Sequence, residues 1–157
     1  MKKKELYFYI AVGVLLICII LIYILKFGPS RRESFEIKNM DHLSVTDLMG
    51  NKVKFQDSWK KGETVYCLLF DLNDCFSCIY RGLEDLKYLK NKGKKCLGIV
   101  INDYVEEVKG WAAQYECSPV FLLKRIDFFN HIKCVKTPVF FILEKGNVEN
   151  FRYITAN

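Results

Sequence analysis

Apolar residues along this chain fall into long uninterrupted runs and into stripes at helical spacing, and their order sets the expected fold. The first run, Leu6 to Leu25 (LYFYIAVGVLLICIILIYIL), holds twenty residues without a charge. At helical rise it covers roughly 30 Å, the hydrocarbon thickness of a bilayer. Three later runs are Thr64 to Leu72 (TVYCLLFDL), Cys96 to Ile101 (CLGIVI) and Pro138 to Leu143 (PVFFIL). They are short and almost continuously apolar, so they are expected as strands buried on both faces, inside a sheet.

Helical spacing takes over after Cys75. Ile79, Leu83, Leu86 and Leu89 form an apolar stripe, while Arg81, Glu84, Asp85, Lys87 and Lys90 face away. That stripe predicts an amphipathic helix, ended by Lys92 to Lys95 with Gly93 inside. A second helix is expected after Asp103, with Asp103 and Glu106 as its capping pair. Its inward face would be Val105, Val108, Ala112 and Tyr115, and Pro119 stops it. Val45 to Phe55 reads as two short strands around Met49-Gly50-Asn51-Lys52, where Gly50 and Asn51 are suited to positive φ. Val120 to Leu123 is a short strand, Asp127 to Ile132 a helical turn, and Val148 to Ile154 a last strand after the turn Glu144-Lys145-Gly146-Asn147. Alternating strands and helices call for an α/β sandwich with a mixed sheet.

Composition changes this picture at the N-terminus. A chain of 157 residues has room for one domain and an anchor but not for two ordinary domains besides. Much of the excess in its 51% hydrophobic fraction sits in the first run. The expected organisation is a basic tail over 1–5, a transmembrane helix over 6–25, a polar linker over 26–34 and a globular domain over 35–157. Lys2, Lys3 and Lys4 would also suit a signal peptide, but the run exceeds the usual apolar core of about 7–15 residues and no small-x-small cleavage site follows. Ile17 stands where lipid attachment at Cys18 would need a small residue. Tyr7, Tyr9 and Tyr23 lie near the ends of the span, where aromatic rings suit the interface.

Charge is less decisive. The three lysines on one side of the span are matched by Lys26, Arg31, Arg32 and Lys38 on the other, so the positive-inside rule assigns no orientation. The net charge of +6 comes from basic residues interspersed with Asp and Glu, some of them next to the membrane, which argues against a nucleic-acid partner.

The candidate chemistry is at Cys75 and Cys78, where a buried strand ends at Asn73-Asp74 and the amphipathic helix begins. Cys75 is expected in the first helical turn, where unpaired backbone N–H groups and the positive end of the helix dipole favour a thiolate. Helical positions three apart bring Cβ atoms to roughly 5–6 Å, close enough for a disulfide with modest adjustment. One cysteine would attack and the other resolve. Asp74 opposes thiolate formation by its charge, even where its carboxylate caps the helix. A zinc site would need a second pair at ligand spacing, and Cys67, Cys96, Cys117 and Cys134 supply none. Cys67 and Cys96 are expected as buried core residues. Cys117 and Cys134 border helices, and the sequence leaves their pairing open with unpaired thiols the favoured reading; His131 is expected at the surface of a short helix.

With these residues in view, the chain resembles the thioredoxin superfamily, most closely the membrane-anchored, TlpA-like redoxins related to the alkyl hydroperoxide reductase and thiol-specific antioxidant group. The likeness covers roughly Phe35 to Tyr153. It rests on the hairpin around Gly50, the strand leading into Cys75-Phe76-Ser77-Cys78, the segment Val135-Lys136-Thr137-Pro138, and the strand and glycine turn that follow. The resemblance implies a thioredoxin-like α/β fold with a mixed central sheet flanked by helices. It implies Cys75, Cys78 and Pro138 as catalytic residues, Pro138 being the cis-proline beside the disulfide. Thr137, by its backbone, with Phe76 and Ser77, would contact the substrate. Asp74 stands where relatives often carry tryptophan, and Leu69 where thioredoxins carry a buried acid six residues before the first cysteine. Arg81 lies near the place of an acid that some cytochrome-maturation relatives use. No full closing helix is expected after the last strand.

The expected function is that of a membrane-anchored, single-pass thiol/disulfide oxidoreductase, its globular domain outside the cytoplasm, acting on protein thiols or disulfides without a cofactor or metal. The alternatives are a tethered copper-delivery or binding module, using the two cysteines and a histidine, and a thiol-dependent antioxidant redoxin. A peroxiredoxin mechanism needs threonine three residues before the peroxidatic cysteine, and Leu72 occupies that place.

Overall fold

Strand pleating sorts the side chains of the central run onto two faces of a sheet. The computed structural model describes residues 12–19, 34–60, 62–115 and 119–156. The chain divides into two units, Met1–Glu33 and Ser34–Asn157. In the first, residues 12–19 are helical. No helix among the described residues is long and apolar enough to cross a membrane. Apart from 12–19, the span expected over 6–25 lies outside the described residues, as does most of the linker over 26–34.

In the second unit, strand β4 (Thr64–Asp71) sends Val65, Cys67 and Leu69 into one buried cluster and Leu68 and Phe70 into another. Strand β5 (Lys95–Ile101) and strand β6 (Val120–Leu123) run parallel to it, and strand β8 (Val139–Glu144) runs antiparallel on its other side. The sheet is completed by β2 (Ser44–Thr46), β3 (Lys52–Lys54) and β9 (Asn147–Tyr153) in the order β3-β2-β6-β5-β4-β8-β9. It is the mixed sheet expected for an α/β domain. A separate two-stranded sheet pairs β1 (Phe35–Ile37) with β7 (Ile132–Cys134). Neither of its strands is marked in the sequence by an apolar run.

Helices α1 (Phe76–Asn91) and α2 (Val105–Gln114) contribute Ile79, Leu86, Val108 and Ala112 to the cluster built on Leu68 and Phe70. Phe55, Trp59 and Phe141 fill the opposite cluster, which Phe128 of helix α3 (Arg125–His131) also joins. Full burial stabilises each such aromatic or aliphatic side chain by roughly 1.5–3 kcal/mol relative to exposure, so the sheet is anchored from both sides. Gly82 lets α1 lie close to the sheet: a Cβ there would stand 2.6 Å from Leu68 Cδ1 and 2.8 Å from Ile154 Cδ1.

Local chemistry differs from expectation at two places. At the β2-β3 turn Gly50 takes φ 91°, but Asn51 does not take positive φ. Its amide and side chain donate instead to the Asp47 carboxylate, at 2.8 and 3.0 Å. The pair Asp103 and Glu106 does not cap α2, whose N-cap is Tyr104 with no side-chain cap. Asp103 accepts the Arg125 amide at 3.2 Å, and Glu106 pairs with Lys109 at 2.7 Å. Asn102, buried at the end of β5, takes over the turn by accepting the Tyr104 amide at 2.8 Å and donating to Glu107 at 3.0 Å.

Candidate active site

The C-terminal ends of the parallel strands carry the residues singled out in the sequence. Cys75 stands at the N-cap of α1 rather than inside its first turn, with φ −53° and ψ 116°. Its carbonyl accepts the amides of Cys78 and Ile79 at 2.9 and 3.0 Å. The Cys75 side chain is exposed and that of Cys78 is buried, and both are free thiols.

The two sulfurs differ in acidity for reasons of geometry. Ser77 Oγ lies 3.1 Å from Cys75 Sγ, and hydrogen bonds from the Ser77 hydroxyl, the Cys78 thiol and the Cys78 amide pull the Cys75 thiol down to about 7. Cys78 moves the other way, raised by its hydrogen bond to Cys75, by burial and by the charge Cys75 acquires. The Ala156 backbone amide partly offsets this by donating to the Cys78 sulfur. The pair thus holds an exposed nucleophile ionised near neutral pH next to a buried thiol that stays protonated.

Asp74 is not a helix cap. Its Oδ1 accepts the Thr137 hydroxyl at 2.9 Å and its Oδ2 accepts the Asp71 amide at 2.8 Å. Thr137 is thereby brought to the residue preceding Cys75, and the Thr137-Pro138 peptide is cis. Pro138 is buried, and its carbonyl accepts the Ile154 amide at 2.9 Å. Behind these residues, Arg125 grips the Asp71 carboxylate through both terminal nitrogens, at 2.6 and 3.1 Å, and reaches Asp103 at 3.8 Å. The Arg125 side chain is 40% exposed, so the ion pairs add little stability, and their effect is to fix the ends of β4, β5 and β6 relative to one another.

Of the other predicted contacts, Phe76 is 58% exposed and packs between Tyr80 and Tyr115, at ring-centroid distances of 6.4 and 5.8 Å. Ser77 is directed at the Cys75 sulfur. Leu69, in the place of the buried acid, is fully enclosed. Arg81 is exposed and donates to the Thr155 carbonyl at 3.5 Å, so the segment after β9 lies along the start of α1, and no helix follows β9 among the described residues.

Cys67 and Cys96 are buried in β4 and β5, where removal from water raises both thiols. Cys134 carries a free thiol that donates to the Lys136 carbonyl at 2.7 Å, and Cys117 lies outside the described residues. His131 ends α3, with its Nδ1 3.3 Å from the Lys38 carbonyl oxygen. Among the described residues no group of three or more His, Cys, Asp or Glu side chains is placed to hold a metal ion.

Sequence reasoning missed three groups that organise the site. Tyr153 donates its hydroxyl to the Ser34 carbonyl at 2.8 Å and accepts the Val135 amide at 3.1 Å, bracing the loop ahead of Pro138. Arg125 and Ala156 act through contacts distant in sequence. For Asp74 the sequence did carry a signal, because an aspartate can accept the backbone amide three residues before it, as Asp74 does from Asp71.

No protein-family model matches the chain, and no curated protein matches it. Solved structures do. A thiol:disulfide interchange protein from Bacteroides sp. is 19% identical over 69% of this chain and 75% of its own, with a TM-score of 0.56. A thioredoxin-like protein from Porphyromonas gingivalis is 19% identical over 71% of this chain and 77% of its own, with a TM-score of 0.59. A secreted disulfide oxidoreductase from Mycobacterium tuberculosis is 14% identical over 74% of this chain and 86% of its own, with a TM-score of 0.53. The likeness establishes the fold: the globular unit has the α/β thioredoxin-like fold with a mixed central sheet.

Proposed function

We propose that the chain is a thiol/disulfide oxidoreductase in which Cys75 attacks and Cys78 resolves. The observation that carries this reading is the pairing of an exposed thiol held at about 7 with a buried, raised thiol one helical turn away, beside a cis Thr137-Pro138 peptide. As a reductant, the Cys75 thiolate attacks one sulfur of a partner disulfide, forming a mixed disulfide and expelling the other sulfur as thiolate. The Cys78 thiol passes its proton to the expelled partner thiolate and attacks Cys75, closing the Cys75–Cys78 disulfide and releasing the second partner thiolate. Two electrons pass to the partner, and the reverse sequence oxidises a partner dithiol. Pro138 shapes the wall facing the sulfurs, the Thr137 backbone receives the partner chain, and Phe76 offers it an exposed aromatic face. The full chain in detergent micelles is expected to accelerate the reduction of insulin disulfides by dithiothreitol; a rate equal to that of dithiothreitol alone would end this assignment.

The apolar run over 6–25 is read as a single membrane span, with the globular domain outside the cytoplasm. Tethering would confine disulfide exchange to partners at the membrane face and raise their effective concentration there. Its support is the length of the uncharged run and a redox pair suited to an oxidising compartment. In intact cells after mild reduction, a membrane-impermeant maleimide should label Cys75. Protection of Cys75 until lysis would place the domain on the other side.

A further inference from the structure

We infer that Asp74 is a positioning residue, its carboxylate clamping the loop of Thr137 and Pro138 to the turn that carries Cys75. This rests on the oxidoreductase reading above and adds to it the device that holds the two walls of the site in register.

The need for a clamp follows from the sheet. Strands β4 and β8 are antiparallel neighbours whose last registered pair on this side is Leu69 with Val139. Beyond it, Phe70 and Asp71 continue in register with β5 alone. The chain ahead of Val139 leaves the ladder as Thr137-Pro138, and the chain after Asp71 leaves it as the turn into Cys75. Between β4 and β8, ladder bonds therefore stop where the two walls of the site begin, while on its other side the loop stays tied to the residue after β9 by the Ile154 amide on the Pro138 carbonyl.

Asp74 bridges that gap. Each carboxylate oxygen has its own partner, Oδ1 taking the Thr137 hydroxyl at 2.9 Å and Oδ2 the Asp71 amide at 2.8 Å. Both partners donate to an ionised acceptor, the stronger class of hydrogen bond, in a partly buried setting. An asparagine would keep both contacts only by turning its NH2 group to the Thr137 hydroxyl, which would then accept, and both bonds would lose their charge assistance. Thr137 in turn can be replaced by serine without loss of the hydroxyl, but not by valine.

The test uses the full chain in detergent micelles with Asp74→Ala, Thr137→Val, the double variant and Thr137→Ser. The clamp predicts faster amide exchange from Cys134 to Phe140 in Asp74→Ala and Thr137→Val, while Thr137→Ser keeps the native rate. For a protein disulfide, each disruptive variant should lose about tenfold in kcat/KM, and the double variant about tenfold rather than a hundredfold, because both remove the same bond. Alkylation of Cys75 by iodoacetamide at pH 9 should keep its native rate, since a small reagent does not need the loop. Unchanged amide exchange in both disruptive variants overturns the clamp, and so do losses that multiply. A loosened loop with native kcat/KM overturns the positioning role. If the unmodified chain exchanges no protein disulfide, the oxidoreductase reading and the positioning role fall together. Amide exchange would then still report whether the carboxylate holds the loop. Thr137→Val attacks the bond from its other end, so the test survives a failure of Asp74→Ala to fold.

Discussion

Cys78→Ser is expected to accumulate a mixed disulfide between Cys75 and its partner, whereas Cys75→Ser is expected to collect almost none and to lose turnover by on the order of 10³-fold or more. The asymmetry follows from where the helix begins. Cys75 occupies the N-cap, exposed and hydrogen-bonded so that its thiolate is favoured near neutral pH. Cys78 lies one turn beyond Cys75 at 6% exposure, and its hydrogen bond to Cys75, its burial and the Cys75 charge raise its thiol. The first attack therefore belongs to Cys75, and removing Cys78 leaves that attack intact while deleting the group that would release the partner. Each single variant would be expressed in the native host, its adducts captured by affinity, and the partners released with reductant. Reducible adducts on Cys75→Ser with none on Cys78→Ser would reverse the assignment, and none on either would remove disulfide exchange as the function.

How far the sequence carried this reading depended on which elements hold themselves up locally. β4, β5 and β8 were legible because a strand buried on both faces must be apolar nearly throughout, and α1 because its stripe of Ile79, Leu83, Leu86 and Leu89 is unambiguous in period. β1 and β7 were not, since three-residue strands such as Phe35–Ile37 and Ile132–Cys134 carry too few positions for a period to show. Helix α3, expected from Asp127, begins at Arg125. The capping pair at Asp103 and Glu106 was a correct sequence pattern overridden by tertiary contact: Arg125, arriving after β6, takes the Asp103 carboxylate, and Asn102 supplies the turn instead.

The site divides in the same way. Cys75 and Cys78 declare themselves by their place at a strand-to-helix junction, and Thr137-Pro138 by its place ahead of a buried strand. What the sequence could not show was the direction in which polar side chains turn. Asp74 was read as a charge set against the thiolate or as a helix cap, and its oxygens are committed to Thr137 and Asp71. Ser77, expected as a substrate contact, also places its hydroxyl 3.1 Å from the Cys75 sulfur. Such choices are decided by which donors the folded chain delivers to a carboxylate or sulfur: for Asp74 one donor comes from more than sixty positions away and the other from its own turn, and for Cys75 they come from the turn that follows it.

The rate of Cys75 alkylation should rise with pH along a single titration curve with its midpoint near pH 7, and Ser77→Ala should move that midpoint upward. A thiol held at about 7 is half ionised at pH 7, whereas one at the ordinary value of 9.0 would be ionised to about 1%. The gain in thiolate is therefore about 50-fold. A thiolate of lower basicity is also a weaker nucleophile, and with a Brønsted slope of about 0.4–0.5 two pH units cost roughly 6- to 10-fold. The first effect is larger, so Cys75 should react at neutral pH roughly 5- to 8-fold faster than an unperturbed thiol. Ionisation is lost as pH falls through 7, so from pH 9 to pH 5 the rate should drop by about 100-fold. The Ser77 hydroxyl is the largest contributor to the lowered value, and replacing it by a methyl group removes a donor to the thiolate without touching the Cys78 amide or thiol. The Ser77→Ala curve should therefore lie at higher pH than the native one but below that of an isolated cysteine. The rates would be read by fragment-ion mass spectrometry, which assigns the label to Cys75 rather than to Cys67 or Cys78, since no Lys or Arg lies between Lys61 and Arg81 to part them. A native midpoint near 9, or a Ser77→Ala midpoint that does not move, would show that the hydrogen bond at 3.1 Å does not set the acidity of the attacking sulfur.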